Sequence, residues 1–519
     1  MRRITIGRTS ICCGVLAALM ILTLAPMSAG ARGIIWLATK RAASTPVLLH
    51  PVMATYRNHA YILSVHELGS SATTSVYFTT NESKSWKTSV LSSQGPNASY
   101  SQEFVSLAID PSRNTLYAAW VYRKDSQHVA LGVWTRAGTA AWSGPTDVAT
   151  GGSIPGQPSI VAGNGHAYVA FSGSPGDYPG SCNDRITHSQ DLMVASSTGT
   201  TWSSPQNLTS CATDKEAIAF NDPKLAIDED GKGYVVSRAG AAGGNLWYAD
   251  TASGSWSKAS RLTSGVSIPE FGGSPALRTL YGIAATRGTV YVAYTTGQKG
   301  TTVELLVRSA AGTLSGPSQV SPADKAGCPE FGVAVVARAG RILVSYIRTA
   351  GGYCTVIGTT NNYNTLHLMT GTPGHLVSIN PGLPHAASCG DSTLSSDGDL
   401  FRLTANCGTG LMALSGNLYY KKEFLDVVGP NAKLAVSRRA GAGKALLQWT
   451  ARDPTPGSGV AYFQVEVRSG SGRWQVAAGA TRGHSLTYSV QRNHSYTFRL
   501  RARDRVNNWG RWVTVAFRG

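Results

Sequence analysis

Acidic side chains are scarce: Asp and Glu number 28 against 46 Lys and Arg, and charged residues form only 14% of the 519. So little charge, set among abundant Gly, Ser and Thr with ordinary apolar content, suits many short strands and turns. The 8 cysteines include no CxxC pair and no Cys/His cluster, which excludes a zinc site of that kind. No acidic run has EF-hand spacing, so neither a metal nor another cofactor is expected. Beyond residue 31 no stretch is apolar for long enough to cross a membrane.

The chain opens on a processing signal. Arg2, Arg3 and Arg8 form a basic start, Ile11 to Ala25 an apolar core, and Ala29-Gly30-Ala31 a small-x-small cleavage site. Residues 1–31 therefore read as a signal peptide, and the mature chain as secreted, extracellular or attached to the cell envelope. Cys12 and Cys13 leave with the signal. Six cysteines remain, and an even set in an exported chain implies disulfides.

The net charge of +18 is uneven. Residues 1–31 carry three Arg and no acid, and residues 430–519 carry 15 Lys and Arg against Asp453, Glu466 and Asp504. That is +3 and +12, which leaves +3 for the long middle. The positive charge belongs to the last domain.

One unit organises residues 32–429. It is cleanest at Val105 to Tyr122, where a short apolar run meets the turn Asp110-Pro-Ser-Arg-Asn114 and a second run follows. Copies start at Ser159, Lys224 and Tyr281, with weaker ones near Val52, Val333 and Thr393. A second pair of strand-like runs lies between the hairpins and often closes on a tryptophan: Trp86, Trp142, Trp202 or Trp256. Four strands per repeat at this period predict an all-β fold, a β-propeller. Seven blades fit best. Six is the alternative, because the last copy is short unless residues 33–38 complete it.

Thr79-Thr-Asn-Glu-Ser-Lys-Ser-Trp86 resembles the Asp-box of sialidase-type propellers, with Asn81 in the Asp position and Ser83 in the Gly position. Gly199 to Trp202 keeps only the tail of the box. That resemblance implies a structural turn and speaks to fold. Residues 430–519 resemble a bacterial fibronectin type III domain, an Ig-like sandwich of about seven strands. Trp449 offers a core residue, Tyr496 stands where the tyrosine corner falls, and Asp504 to Trp509 resembles the F–G turn.

The propeller resemblance also places chemistry. In such folds the loops entering the innermost strands, and those following the second strands, open on one mouth. Here the entering positions are His50, Glu103, Gln157, Asp222, Arg278, Glu330 and Asp391. His66, Glu67, Arg123, Arg238 and Arg348 follow the second strands. Glu103, Asp222, Glu330 and Asp391 are the candidate catalytic carboxylates, since facing carboxylates raise one another's pKa. Arg238, Arg278 and Arg348, with His50 and Gln157, are the candidate ligand-binding set, because arginines hold carboxylates bidentately. The bland alternative is a wet channel whose polar groups bond blade to blade.

Sequential pairs Cys182–Cys211, Cys328–Cys354 and Cys389–Cys407 would staple this mouth, each worth about 3 kcal/mol by loop closure. Sequence leaves other pairings open. The insertion Ser172 to Arg185 offers Asp177, Tyr178, Asn183 and Asp184 to a sugar or Ca²⁺, or is a plain solvated loop. In the last domain Arg499, Arg501 and Arg503 alternate along one strand and so share a face. Like charges so placed repel unless an anion compensates them, which suggests an anionic surface as partner, the alternative being a plain solvated face. No aromatic platform for nucleic acid is evident, so none is expected as a partner.

The reading is a monomeric, exported surface protein. It binds a glycan or cell-envelope polymer at the propeller mouth, with a basic fibronectin type III anchor. The alternatives are a sialidase-like exo-glycosidase and a protein-interaction scaffold. The sialidase Arg-Ile-Pro motif is missing, its nearest counterpart being Tyr56-Arg57-Asn58.

Overall fold

The computed structural model describes residues 34–37, 39–43, 48–66, 75–92, 105–151, 158–174, 190–199, 201–209, 220–239, 244–264, 280–297, 301–322, 330–338, 340–350, 363–381, 383, 388–408, 416–438, 443–454 and 457–519. Contacts divide the chain into two units, Trp36–Phe424 and Leu425–Gly519, the latter with the first 35 residues. The secondary structure of the described residues is all strand, with no helix. None is therefore a helix long and apolar enough to cross a membrane.

The first unit is propeller-like. Its described strands form seven sheets of four or five strands each. The first strands of the sheets are Leu48–Tyr56, Ser106–Asp110, Ser159–Gly163, Phe220–Ile227, Tyr281–Thr286, Glu330–Arg338 and Ser388–Asp397. Each touches its neighbours in this order, and the seventh touches the first. These innermost strands therefore stand in a closed ring. Numbering the sheets 1 to 7 in that order, the seventh is finished by the start of the chain. Ile34–Trp36 and Lys40–Ala43 both pair with its third strand, Gly416–Leu425.

Local chemistry explains the hairpins. Arg57-Asn58, Asn164-Gly165 and Arg287-Gly288 each have positive φ at both residues, the two-residue turn whose twist suits paired strands. An aspartate at the end of an inner strand then ties one sheet to the next. Asp110 accepts the Ser112 N–H at 3.0 Å and, on the neighbouring sheet 3, the Gly165 N–H at 3.1 Å. Asp228 accepts from Asp230 N and Lys232 N, each at 3.0 Å, and from Gly288 N at 3.1 Å on sheet 5. Asp397 accepts the Asn58 N–H at 2.5 Å, joining sheet 7 to sheet 1.

The tryptophans have one recurring task. Each reaches edge-on from its own sheet to an aromatic ring of the preceding one: Trp142 to Phe78 at 5.3 Å, Trp202 to Tyr117 at 6.5 Å, Trp256 to Tyr168 at 5.3 Å. Trp86 meets Tyr420 of sheet 7 at 5.0 Å. The box-like turn before Trp86 is held by Asn81, whose Oδ1 accepts the Ala60 N–H at 2.8 Å. A second such turn, not recognised in the sequence, runs from Asp250 to Trp256. There Asp250 Oδ1 accepts the Ala252 N–H at 3.1 Å and Gly254 has a φ of +87°.

Cys389 and Cys407 are directly opposed in register and form a disulfide. Cys182, Cys211, Cys328 and Cys354 lie outside the described residues.

The second unit is a sandwich. Strands Asn431–Arg438, Lys444–Arg452 and Ser485–Ser489 form one sheet. Gln475–Thr481, Val460–Ser469, Ser495–Asp504 and Val513–Arg518 form the other, in that order. Trp449, Phe463, Val465, Phe498 and Leu500 fill the space between them. Tyr496 is buried among them, and its hydroxyl accepts the Gln491 N–H at 2.9 Å.

Candidate functional site

The ring of inner strands encloses two adjoining cavities. One, of about 600 Å³, opens among the hairpin turns. The other, of about 220 Å³, lies where the inner strands begin, and Leu225, Ile283, Val335 and Leu394 border both. His50, Ser106, Ser159, Lys224, Tyr281 and Ser392 supply its polar lining. This upper end is where the sequence placed its candidates.

The inner strands of sheets 1, 4 and 6 share a distortion there. Each carries one extra residue in its pairing, between Leu49 and Val52, Asn221 and Lys224, and Phe331 and Ala334. Each bulge holds a left-handed residue: His50 at φ +48°, Asp222 at +49° and Gly332 at +61°. A β-bulge re-aims side chains and is common beside binding sites. Glycine takes this conformation freely, whereas a histidine and an aspartate take it at a cost of about 1 kcal/mol or more. The sheet 4 bulge is gripped by its neighbour. Tyr281 donates its hydroxyl hydrogen to the carbonyl of Asp222 at 2.5 Å, and its oxygen accepts the Arg238 N–H at 3.2 Å. Burial, then the charge of Asp222, suppress the acidity of Tyr281, against a smaller pull from Arg238.

Glu330 and Arg348 face each other in register on sheet 6. Glu330 is 0% exposed and Arg348 19%. Arg348 donates to the carboxylate through Nε at 2.8 Å and through Nη2, and to the Pro322 carbonyl at 2.7 Å. Ser321 Oγ donates to the other carboxylate oxygen. Beside the pair, Tyr346 stacks on His367 with centroids 5.0 Å apart. Burial, then Glu330, push the Tyr346 hydroxyl up to about 12, while Arg348 pulls the other way. Burial, then Arg348, lower the pKa of His367.

The loop after the second strand of sheet 2 reaches the same end. Arg123 is exposed there. Asp125 Oδ1 accepts the N–H groups of Gln127 and His128, each at 2.8 Å, and Oδ2 meets His128 Nδ1 at 2.9 Å. The Gln127 bond, then that to the His128 side chain, hold the Asp125 carboxyl at about 2. Asp147 accepts from Tyr122 at 2.7 Å and pairs with Lys124 at 2.8 Å.

The structure therefore rearranges the expected ring. Glu330 does not stand free in the mouth as an acid or base, because Arg348 and Ser321 enclose it. Asp222 sits in the strained bulge, His50 lines the upper cavity, and Arg238 is buried with its backbone on Tyr281. Glu103, Gln157, Arg278, Glu67, Asp177, Tyr178, Asn183 and Asp184 lie outside the described residues, as do the side chains of His66 and Asp391. Lys224, Tyr281, Tyr346 and His367 were missed. Lys224 and Tyr281 each open a copy of the sequence repeat, so aligning the copies by their first residues would have found both.

The arginine row of the second unit is also not as expected. Arg499 donates to Glu466 Oε2 through Nε at 2.8 Å and Nη2 at 2.5 Å, and Arg501 to Gln464 Oε1 at 2.9 and 2.7 Å. Arg503 donates to the Tyr462 hydroxyl. The charges are thus eased from within the protein. Aromatic rings separate them: Arg499 lies 4.1 Å from the Trp474 ring and 4.2 Å from Trp512, and Arg501 4.5 Å from Trp512 and 3.9 Å from Trp509. Arg503 follows at 5.4 Å from Trp509. Trp474, Trp509 and Trp512 thus stand in a row where the sequence reading saw no aromatic platform.

Asp426, Asp453 and Asp504 of the same unit bring carboxylate oxygens within 4.8 Å of one another, the one such group among the described residues that could hold a cation. Asp453 Oδ2 accepts the Gly459 N–H at 2.5 Å. Burial, outweighing that bond, and then the charges of Asp426 and Asp504, raise the Asp453 pKa.

No protein-family profile matches the chain, and no curated protein is detectably similar to it in sequence. Solved structures of glycan-acting enzymes resemble it weakly. A polysaccharide lyase, Uly1, is 12% identical with a TM-score of 0.44, over 74% of this chain and 91% of the lyase. An α-L-arabinofuranosidase of Fusarium graminearum is 14% identical with a TM-score of 0.40, over 75% and 98%. The sialidase of Trypanosoma rangeli is 9% identical with a TM-score of 0.37, over 93% and 89%.

Proposed function

We propose that the chain is an exported, seven-bladed β-propeller followed by a fibronectin type III sandwich, and that it binds a glycan at the upper mouth. The reading rests on the upper cavity, where His50 and Lys224 converge with a row of serines on a rigid ring, backed by the Tyr281 clamp on the Asp222 bulge. Fixed donors and acceptors at the end of an apolar channel suit polyhydroxylated ligands. Binding is favoured over hydrolysis by one observation. Glycoside cleavage needs two available carboxylates roughly 5 to 10 Å apart. Glu330, which would be one of them, is sealed by Arg348 and Ser321.

The test is a glycan array probed with the mature protein and with Lys224→Ala, alongside turnover of a panel of fluorogenic glycosides including a sialoside. Binding that Lys224→Ala weakens, with no turnover, is the expected result. Turnover of any glycoside by the wild-type chain would replace this reading with the sialidase-like one. Silence in both assays would leave the scaffold reading.

A further inference from the structure

We propose that the row Arg499, Arg501 and Arg503 is a preorganised binding site for a linear anionic polysaccharide, independent of the propeller mouth. The strand Ser495–Asp504 buries Phe498, Leu500 and Ala502 and turns the three arginines to the other face of its sheet. Period two spaces them about 6.8 Å apart. On the neighbouring strand Tyr462, Gln464 and Glu466 stand opposite them in register.

Each of the first two guanidiniums is fixed by one edge only. Arg499 and Arg501 use Nε and Nη2 toward Glu466 and Gln464, and Nη1 of each has no hydrogen-bond partner among the described residues. Arg503 uses Nη1 on Tyr462, and Nη2 has none. The rings of Trp474, Trp512 and Trp509 hold the planes apart and upright. Arg468 extends the row, 4.9 Å from the Trp474 ring. Four guanidiniums against the single carboxylate of Glu466 leave a charge of +3 on this row. The row therefore has fixed geometry, outward donors and uncompensated charge, so an anion meets it with little ordering cost.

The aromatic faces select among polyanions. A nucleic acid would need bare rings on which to stack bases, and here a guanidinium already lies against each ring, Trp509 alone staying exposed. A membrane rewards diffuse basic charge beside apolar side chains that insert, whereas this is a narrow line of clamped groups. A sulfated or uronic-acid polymer, with an anion on successive sugars, fits a line.

The test uses the full mature chain and measures binding to dextran sulfate, uncharged dextran, single-stranded oligonucleotide, and vesicles of phosphatidylcholine with phosphatidylserine. Salt-sensitive binding to dextran sulfate above all other probes is expected. Arg499→Gln with Arg501→Gln should weaken it about tenfold or more, whereas Arg482→Gln with Arg492→Gln, outside the row, should leave it within about twofold. Should the first pair fail to fold, Arg499→Lys with Arg501→Lys keeps the charge and loses the fork, and a several-fold loss is again expected. Equal loss from both Gln pairs, no loss from the Lys pair, or preference for vesicles or oligonucleotide would each overturn the proposal.

Discussion

Arg348 closes over Glu330 from the directly opposite position in the sheet, so a wholly buried carboxylate is met by a guanidinium in register. Removing the arginine strands that charge. Arg348→Ala should cost about 3–5 kcal/mol of unfolding free energy, while Arg348→Ala with Glu330→Gln should recover part of the loss. Denaturant unfolding checks both. A single variant as stable as wild type would show that water, and not Arg348, solvates Glu330.

The aspartates at the ends of inner strands each serve their own turn and the next sheet. Asp110→Ala and Asp228→Ala should each destabilise the propeller unit by about 2–4 kcal/mol, since each strands several N–H donors. The loss should exceed that of Asp230→Ala, an exposed neighbour in the same turn. Thermal unfolding of the three variants decides, and equal midpoints would contradict the latch.

Trp142 and Trp256 carry the contact between consecutive sheets. Trp142→Ala should cost about 3–5 kcal/mol. Trp142→Phe should cost clearly less, because it keeps an edge against Phe78. Unfolding followed by near-ultraviolet circular dichroism measures both, and equal losses would argue against the ring contact.

Much of this was legible in sequence, for one physical reason. Hairpin runs and their turns are local, and so the inner strand Ser106–Asp110, its turn and its partner strand can be read from eighteen consecutive residues. The tryptophans were visible for the same reason, though not their partners. What sequence hid was made by distant residues. Trp474, Trp509 and Trp512 reach the arginine row from outside its own strand. Glu330 reads as an exposed acid until Arg348 is placed opposite. The bulges at His50 and Asp222 leave no mark beyond a following proline.

Asp453 gives a pH dependence with a definite sign. Its folded pKa is raised above 3.8, by burial and then by Asp426 and Asp504. The folded state therefore holds the proton more tightly than the unfolded chain. Its stabilising effect is whole below the unfolded pKa and is lost as pH rises through the folded one. The second unit should weaken as pH climbs from about 4 through the raised folded pKa. Asp453→Asn keeps an acceptor for the Gly459 N–H and should raise the melting midpoint at pH 7 while flattening this slope. A variant with an unchanged midpoint and unchanged slope would remove Asp453 as the source.

Lys40–Ala43 lies against the strand Gly416–Leu425. This early segment cannot pair until its partner is made, almost four hundred residues later. During synthesis the early strands emerge as an unclosed arc with one edge waiting. The finished ring is a clasp whose two halves travel at opposite ends of the same thread. A permuted chain, begun between two later sheets, would carry both halves side by side and fasten them early.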